Sequence, residues 1–330
     1  MAEAEVGDDV FHEDPTVIRL EEETAAVLGK EASLFVPTGC MGNEIAVAIQ
    51  TRRGESILLH KHSHVAYVEA AALTQLLGRR FHLMEGDRGR LRPEEVAAAL
   101  SSGAPGAEGV ALVEVENTQN WGSGAIYPLP RLEAVAAAAR ARKLPVHLDG
   151  ARLWNASAET GTPPATYAAV ADTVMVCYSK GLGAPIGSAI AGSRAAIQEA
   201  RAVRKLFGGA MRQVGIVAAG ARYGLRHHRD RLREDHRRAR RLAQAIAETP
   251  GIRLNPSEIE TNIVIAEIEE PHDRLLPFLD AALAEGVRLY EFGGPGRFRA
   301  ATHLDVDDAG IDRAIAAIRK AAASVLGGRR

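Results

Sequence analysis

Short apolar runs alternate with alanine-rich helical segments along the first two thirds of this chain. Seven of these runs are typical of β-strands, at residues 33–36, 57–60, 80–84, 110–115, 145–148, 173–178 and 188–191. Such alternation predicts an α/β domain with a mainly parallel, seven-stranded sheet. Because the carboxyl ends of parallel strands share one edge of the sheet, we expect the residues that follow the strands to meet there.

The last third of the chain has a different pattern. An arginine-rich helical stretch is predicted from about residue 222 to about 248, and its opposite charges three and four positions apart favour a solvated, ion-paired helix. Strand-like runs follow at 261–267 and 287–290, with a helix near 274–284 between them and a last helix from about residue 308. We therefore predict a large domain over residues 1–226 and a small α+β domain over residues 227–330.

Two of the predicted strands lead into residues that can do chemistry. Asp149 follows the run at 145–148, and Lys180 follows the run at 173–178, about 30 residues later. This spacing fits one βαβ crossover, which would place both side chains at the same sheet edge. A lysine can form a Schiff base with pyridoxal phosphate, and a carboxylate can keep its pyridine nitrogen protonated. The alternative is a strand-end salt bridge or two unrelated surface residues, and spacing alone does not decide between them.

Thr38, Gly39 and Cys40 lie between a predicted strand and a predicted helix. Backbone N–H groups and the helix dipole at such a turn can hold a phosphate. A glycine in this position is more often only part of the turn, so the pattern gains weight only beside the other motifs.

Three histidines alternate at the end of the run at 57–60. A continued strand would place His60, His62 and His64 on one face, where they could bind a metal ion. The sequence offers no acidic or cysteine partner close to them, so we expect no metal site. A histidine that stacks on a flat cofactor, or one that is simply exposed, is favoured.

Charge and composition limit the expected partners. Lysine plus arginine total 40 against 42 acidic residues, a formal net charge of -2, so neither nucleic acid nor a membrane surface is expected as a partner. Small molecules are the expected ligands. The two cysteines, Cys40 and Cys177, and a start without the features of a signal peptide indicate a reducing, cytoplasmic setting. No apolar stretch approaches the roughly 18 residues of a membrane span.

Six ordered motifs resemble those of the low-specificity L-threonine aldolases, which are fold type I pyridoxal phosphate enzymes of the aspartate aminotransferase superfamily. The match runs nearly end to end: Gly-Asp-Asp-Val at 7–10 with Glu-Asp-Pro-Thr at 13–16, Phe-Val-Pro-Thr-Gly at 35–39, His-Leu-Asp-Gly-Ala-Arg at 147–152, Ser-Lys-Gly-Leu-Gly at 179–183, Gly-Gly-Ala-Met-Arg-Gln at 208–213, and Thr-His-Leu-Asp-Val at 302–306. The resemblance implies a fold type I large domain, a small C-terminal domain, and a homotetramer that is a dimer of dimers.

The resemblance also implies roles toward the cofactor. Lys180 would form the Schiff base with pyridoxal phosphate, Asp149 would pair with the pyridinium nitrogen, and His64 would stack on the ring. The backbone of Gly39 and Cys40 would hold the phosphate.

Substrate binding is assigned in the same way. Arg152 would lie beside the cofactor, and Arg299 would bind the carboxylate of an amino acid substrate, with Arg297 as a nearby rival. An arginine fork suits this task because it matches a carboxylate with two hydrogen bonds. Gln119 would contact the β-hydroxyl of the substrate.

The implied reaction is cleavage of L-threonine, L-allo-threonine or a related β-hydroxy-α-amino acid to glycine and an aldehyde. His64 would take the proton of the β-hydroxyl, since the pKa of a histidine lies near working pH. Other pyridoxal phosphate chemistry, such as β-elimination or racemisation, and an inactive cofactor-binding homologue are the alternatives.

The chain departs from the family pattern at several positions. Gln119 stands where the family has a histidine, and an amide cannot act as a base at neutral pH. Trp121 adds an aromatic side chain to the same loop, and Cys40 replaces the usual threonine with a weaker hydrogen-bond donor. The sequence also begins about 20 residues later than the family pattern. Either the start codon is assigned too late, or the segment is truly missing, and a missing segment would weaken binding of the substrate carboxylate.

Overall fold

The computed structural model describes residues 1–101, 109–269 and 271–327. The chain forms two compact units: the first comprises Met1–Gln119 and Ile126–Asp230, and the second comprises Asn120–Ala125 and Arg231–Arg330. These units differ from the predicted domains mainly in the short segment Asn120–Ala125, which groups with the second unit.

A seven-stranded sheet forms the centre of the first unit, in the order β1-β7-β6-β5-β4-β2-β3. Its strands are β1 (Ala32–Val36), β2 (Ser56–His60), β3 (Arg80–Met84), β4 (Val110–Glu116), β5 (Val146–Gly150), β6 (Thr173–Cys177) and β7 (Ser188–Gly192). Strand β7 is antiparallel to both β1 and β6, whereas the pairs that join β2 to β6 are parallel. The predicted α/β class and mainly parallel sheet are therefore confirmed, with strand ends within about two residues of those predicted.

Helices cover this sheet. In the described part of the first unit they are α1 (Pro15–Leu28), α2 (Gly39–Gln50), α3 (His64–Tyr67), α4 (Pro93–Ala99), α5 (Leu129–Ala141), α6 (Leu153–Thr160), α7 (Pro164–Ala168), α8 (Arg194–Leu206) and α9 (Gly215–His227). Asp14 caps α1 by accepting hydrogen bonds from Thr16 and Val17, and Gly29 ends it in the left-handed conformation, φ 62°. Both ends agree with the sequence signals.

Helix α2 lies unusually close to β6. A Cβ atom at Gly42 would come within 2.7 Å of Met175 Cγ, and one at Gly39 within 2.9 Å of Cys177 Sγ. Any larger residue would push the helix away from the strand. The two glycines therefore set the position of the start of α2 over the sheet.

The second unit has its own four-stranded sheet, in the order β10-β11-β9-β8, with every pair antiparallel. Its described elements are α10 (Leu232–Ala247), β8 (Ile252–Arg253), β9 (Ile263–Ile268), α11 (Leu275–Ala284), β10 (Tyr290–Glu291), β11 (Arg297–Ala301) and α12 (Asp308–Val325). Phe278 and Phe298 lie at 0% exposure in its core. The sequence did not predict β8 or β11, and the strand predicted at 287–290 is reduced to Tyr290–Glu291.

The long helix predicted from about 222 to 248 is two helices. Helix α9 ends at His227, where the N–H of His228 bonds to the carbonyl of Gly224, and α10 begins at Leu232. No glycine or proline lies between them, so the sequence carries no break signal. The solvated interpretation is wrong for one face of α10, because Asp235 is fully buried, although it does pair with Arg231 at 2.8 Å.

Among the described residues, no helix is both long and apolar enough to cross a membrane.

Candidate active site

Asp149 and Lys180 belong to neighbouring strand ends. Strands β5 and β6 pair in parallel, with Asp149 opposite Met175, and helices α6 and α7 form the crossover between them. Asp149 is near the carboxyl end of β5, and Lys180 follows β6 in the next loop. The predicted βαβ crossover is confirmed.

The Asp149 carboxylate is buried but supplied with hydrogen-bond donors. Its side chain is 1% exposed; Oδ2 accepts from Asn43 Nδ2 at 3.0 Å and Oδ1 from the backbone N–H of Ala151 at 2.9 Å. A buried carboxylate requires such donors to remain charged. Lys180 is half-buried, and none of the described residues forms a hydrogen bond or ion pair with its amine.

Asn43, on α2, links several polar groups. Its Nδ2 donates to Asp149 and also to Glu69 Oε1 at 3.0 Å, and its Oδ1 accepts from His147 Nε2 at 3.0 Å. Because an amide oxygen can only accept, His147 carries its proton on Nε2, and its Nδ1 accepts from the hydroxyl of Thr173 at 2.8 Å. Burial lowers the pKa of His147 to about 4, so this histidine is neutral at neutral pH.

His64 forms a short hydrogen bond with a buried acid. Its Nδ1 lies 2.6 Å from Glu69 Oε1, and its backbone N–H donates to Glu116 Oε2 at 2.8 Å. The His64 side chain is 25% exposed, whereas that of Glu69 is 1% exposed. Burial by itself lowers the pKa of His64, but the hydrogen bond to Glu69 and the charges of Asp149, Glu69 and Glu116 outweigh it, and the pKa is raised. Burial also raises the pKa of Glu69.

The three alternating histidines do not share a strand face. Strand β2 ends at His60, and His64 begins α3. The His60 Nδ1 accepts from the backbone N–H of His62 at 3.0 Å, and burial lowers the pKa of His60 to about 4. The view that no acidic partner lies near these histidines was wrong for His64, whose partner is Glu69.

The start of α2 presents backbone donors. Thr38 caps the helix: its hydroxyl accepts from the N–H of Met41 at 3.1 Å, and its carbonyl accepts from Gly42 at 3.2 Å. Among the described residues, none accepts from the N–H of Gly39 or Cys40. Two unsatisfied N–H groups at a helix N-terminus are suited to a phosphate. Burial raises the pKa of the Cys40 thiol to about 12, with Glu69 adding to the shift, so the thiol is neutral.

Strand β4 brings two acids and Gln119 to the same region. Gln119 is fully buried, and its Nε2 donates to the carbonyl of His62 at 2.7 Å and to Glu116 Oε2 at 3.2 Å. Glu114 is also fully buried; among the described residues the hydroxyl of Ser63 is the donor that faces its carboxyl group, and it does not reach ordinary hydrogen-bond geometry with either oxygen. Burial raises the pKa of Glu114 well above its ordinary range, and the charges of Asp149 and Glu116 add to the shift.

Arg152 is half-buried at the start of α6. Burial lowers its pKa, and interactions with Cys177, Glu116 and Asp149 oppose the shift.

The chain is similar to known proteins over most of its length. Residues 1–269 match the sequence model of the beta-eliminating lyases. The chain belongs to the beta-eliminating lyase family. It is 35% identical over 325 residues to low-specificity L-threonine aldolase 1 of Arabidopsis thaliana, covering 97% of this chain and 91% of that protein. It is 32% identical over 322 residues to the low specificity L-threonine aldolase of Escherichia coli K12, covering 93% and 89%.

The fold has solved counterparts as well. The structure of Leishmania major threonine aldolase superposes with a TM-score of 0.76 at 21% identity, covering 93% of this chain and 90% of that one. At this identity the likeness concerns the fold alone, and it confirms the predicted fold type I architecture.

Arg299 lies in the second unit of this beta-eliminating lyase. It is on β11 opposite Tyr290, with its guanidinium carbon 5.5 Å from the centre of the Phe292 ring. Arg297, the other candidate for binding the substrate carboxylate, has its guanidinium carbon 5.4 Å from the centre of the Trp121 ring. Binding of a substrate carboxylate by Arg299 stays a prediction.

Sequence reasoning missed two members of the site, Asn43 and Glu69. It gave no role to Glu116, although this residue opens the Glu-Asn-Thr-Gln segment at 116–119 that matches a family motif except at Gln119. Asn43 was within reach of prediction, because it lies one turn after the candidate phosphate turn on the same helix. Glu69 carries no signal of its own, since acids are common on protein surfaces.

Proposed function

We propose that this protein is a pyridoxal phosphate-dependent lyase that cleaves threonine, allo-threonine or a related β-hydroxy-α-amino acid to glycine and an aldehyde. The observation that carries the proposal is the buried Asp149, whose carboxylate is held by Asn43 and Ala151 next to the loop that bears Lys180. The similarity to proteins named threonine aldolases supports the substrate class.

The groups present fit the cofactor. A ring nitrogen needs a carboxylate partner, and Asp149 offers one whose oxygens accept hydrogen bonds from Asn43 and Ala151. A phosphate needs backbone donors, which Gly39 and Cys40 supply. Lys180 offers an amine with no partner among the described residues. When bound, the cofactor would accept the electron pair that remains when the Cα–Cβ bond of the substrate breaks.

His64 would handle the proton of the β-hydroxyl. Its Nδ1 is held by Glu69, which leaves Nε2 to accept that proton. The amide of Gln119 cannot replace it, because Nε2 of Gln119 already donates to two groups and an amide does not titrate at neutral pH. Arg152 would lie beside the cofactor, where its guanidinium would help to set the orientation of the bond that breaks. The role of Arg299 toward the substrate carboxylate remains the one that the family resemblance implies.

Substitution of Lys180 tests the proposal. The purified protein with pyridoxal phosphate should show a visible-range absorption band and release glycine from threonine, and Lys180→Ala should lose both. Lys320→Ala, at an exposed lysine of the second unit, is the matched control and should retain both. A wild-type protein without the band would contradict the cofactor assignment, and a band without glycine release would indicate an inactive homologue.

Beta-elimination is the second candidate, favoured by the family description and by the engaged amide of Gln119. If the protein forms pyruvate from serine faster than it forms glycine from threonine, beta-elimination is the main reaction. Gln119→His should raise threonine cleavage if the lost histidine limits the aldol reaction.

The proposal also covers the oligomeric state of the protein and its location in the cell. The resemblance to the aldolases supports a homotetramer, which sedimentation would test, and the two free cysteines agree with a cytoplasmic location.

A further inference from the structure

Three side chains of the first unit converge beside His64. Cys40, His64 and Glu69 each offer one ligand atom, and these atoms all lie within 4.8 Å of one another. The proposed function uses only the backbone of Cys40, so its thiol has no task there. In the described part of the chain, this is the group of histidine, cysteine and acidic residues arranged closely enough to hold a metal ion.

We propose that Cys40, His64 and Glu69 form a zinc-binding site and that zinc and the cofactor exclude each other. The exclusion rests on the proposed function, whereas the binding of zinc does not. The site would allow zinc to inhibit the enzyme reversibly.

The donor set suits zinc. A thiolate sulfur, an imidazole nitrogen and a carboxylate oxygen are its usual ligands, and three protein ligands with one water complete a tetrahedron. The Glu69 carboxylate has spare capacity, because its Oε2 is buried and has no hydrogen-bond partner among the described residues. Buried polar atoms without partners are uncommon and call for an explanation.

The required movements are small. His64 Nδ1 and Glu69 Oε1 lie 2.6 Å apart, with a proton between them. Two ligands of tetrahedral zinc are about 3.3 Å apart, given bonds of roughly 2.0–2.1 Å, so replacement of this proton by zinc needs an opening of less than about 1 Å. The thiol of Cys40, within 4.8 Å, must approach by a similar amount.

Local charge favours a divalent cation. Asp149 is linked to Glu69 through the amide of Asn43, with both bonds at 3.0 Å, and Glu116 accepts from the backbone of His64. When no cation is present, the negative charges of these carboxylates disfavour a thiolate at Cys40. A bound metal ion reverses this effect, because its positive charge is attracted to the carboxylates and to the thiolate.

The cofactor needs the same residues. In the proposed function His64 stacks on the cofactor ring and the N–H of Cys40 binds its phosphate. A zinc ion would shift the His64 ring, and the Cys40 thiol together with the start of α2, by about 1 Å from the positions that the cofactor needs. A misplacement of that size is enough to disrupt a closely fitted site.

Cobalt(II) is the probe for the site, because it substitutes for zinc and absorbs light when bound to a thiolate. Added to the cofactor-free full-length protein, it should produce a sulfur-to-cobalt charge-transfer band, which zinc should abolish. The band should be absent in Cys40→Thr and retained in Cys177→Ser, since Cys177 is buried against Ser188 and Met175. Calorimetry should show zinc affinity at least about tenfold lower in Cys40→Thr, with melting curves showing that both variants are folded.

Several outcomes would overturn the inference. A band that is absent in the wild type, or unchanged in Cys40→Thr, would remove the zinc site. Cobalt that stays bound when excess pyridoxal phosphate binds would remove the exclusion. Threonine cleavage by chelator-treated holoenzyme tests the proposed function separately, so either proposal can fail without the other.

Discussion

At the scale of single residues, buried acids in the first unit differ in their hydrogen-bond donors. Asp149 receives two, from Asn43 and Ala151, and Glu69 Oε1 lies between Asn43 and His64. Glu114 is equally buried, but among the described residues it faces only the hydroxyl of Ser63, which does not reach ordinary hydrogen-bond geometry with either oxygen. Donors decide whether a carboxyl group keeps its charge away from water, so neighbouring acids can serve opposite roles.

We expect Glu114 to make stability depend on pH. Its folded pKa is raised above the unfolded value of about 4.3, so the folded state keeps a proton that the unfolded state has released. Its stabilising contribution is present below pH about 4.3 and is lost as pH rises through the folded pKa, by up to about 1.4 kcal/mol per pH unit. Urea unfolding from pH 4 to 8 should show this loss relative to Glu114→Gln. A difference between the two proteins that does not vary with pH would contradict it.

Glu69 should control the pKa of His64 and therefore the pH range in which His64 can accept a proton. Because the hydrogen bond to Glu69 raises the pKa of His64, Glu69→Gln should lower that pKa. If His64 is the base, the acidic limb of kcat/KM for threonine then moves to lower pH, and the plateau falls because the base is weaker. Glu22→Gln, at an exposed residue of α1, should leave the profile in place. An unmoved limb in Glu69→Gln would exclude His64 as the base.

At the scale of elements, hydrogen bonds at helix ends connect the helices and the N-terminal segment of the first unit. Asp14 caps α1 through Oδ1, and its Oδ2 accepts from the N–H of Gly7 at 3.2 Å and of Gly215 at 2.9 Å. One carboxylate therefore joins the N-terminal segment, α1 and the start of α9. The sequence indicated the cap, but not these two additional bonds.

Loss of Asp14 should cost more than loss of an ordinary cap. Asp14→Ala removes acceptors from four N–H groups around a fully buried side chain, so we expect a fall of about 3 kcal/mol or more in the free energy of unfolding. Asp307→Ala, at the exposed cap of α12, removes one bond to Gly310 and should cost about 1 kcal/mol. Equal losses in chemical denaturation would show that the buried bonds of Asp14 add nothing.

At the scale of the whole molecule, each unit has its own sheet and its own core. The proposed cofactor groups Asp149, Lys180, His64, Gly39 and Cys40 all come from the first unit. Arg299 comes from the second unit, on a strand whose neighbours β9 and β10 lie in that unit too.

Cofactor binding should stabilise the folded protein, because the groups proposed to bind the cofactor are brought together only when the first unit folds. At a concentration one hundred times Kd, a ligand that binds only the native state adds about 2.7 kcal/mol to the free energy of unfolding. Thermal melting with and without pyridoxal phosphate should show a higher Tm for the wild type and a much smaller rise for Lys180→Ala. An equal rise in both proteins would mean that binding does not involve Lys180.

Much of the architecture was predictable from the chain itself. The strands of the first sheet are short apolar runs with polar boundaries, and the crossover between Asp149 and Lys180 follows from their spacing. The second unit was predicted less well, because β8 and β10 are two residues each and β11 reads Arg-Phe-Arg-Ala-Ala, in which two arginines interrupt the apolar residues. Such strands exist because a neighbouring strand pairs with them.

The sequence by itself determined the sheet, the βαβ crossover, and the acid and lysine at the ends of the two strands that it joins. Only the tertiary structure decided that Asn43 bonds to both Asp149 and Glu69, and that Glu69 holds His64. Strand formation depends on residues close together in the chain, whose periodicity can be read directly. The bond from Asn43 to Asp149 joins residues 106 positions apart, and it depends on how closely α2 packs against β6, which no local pattern specifies.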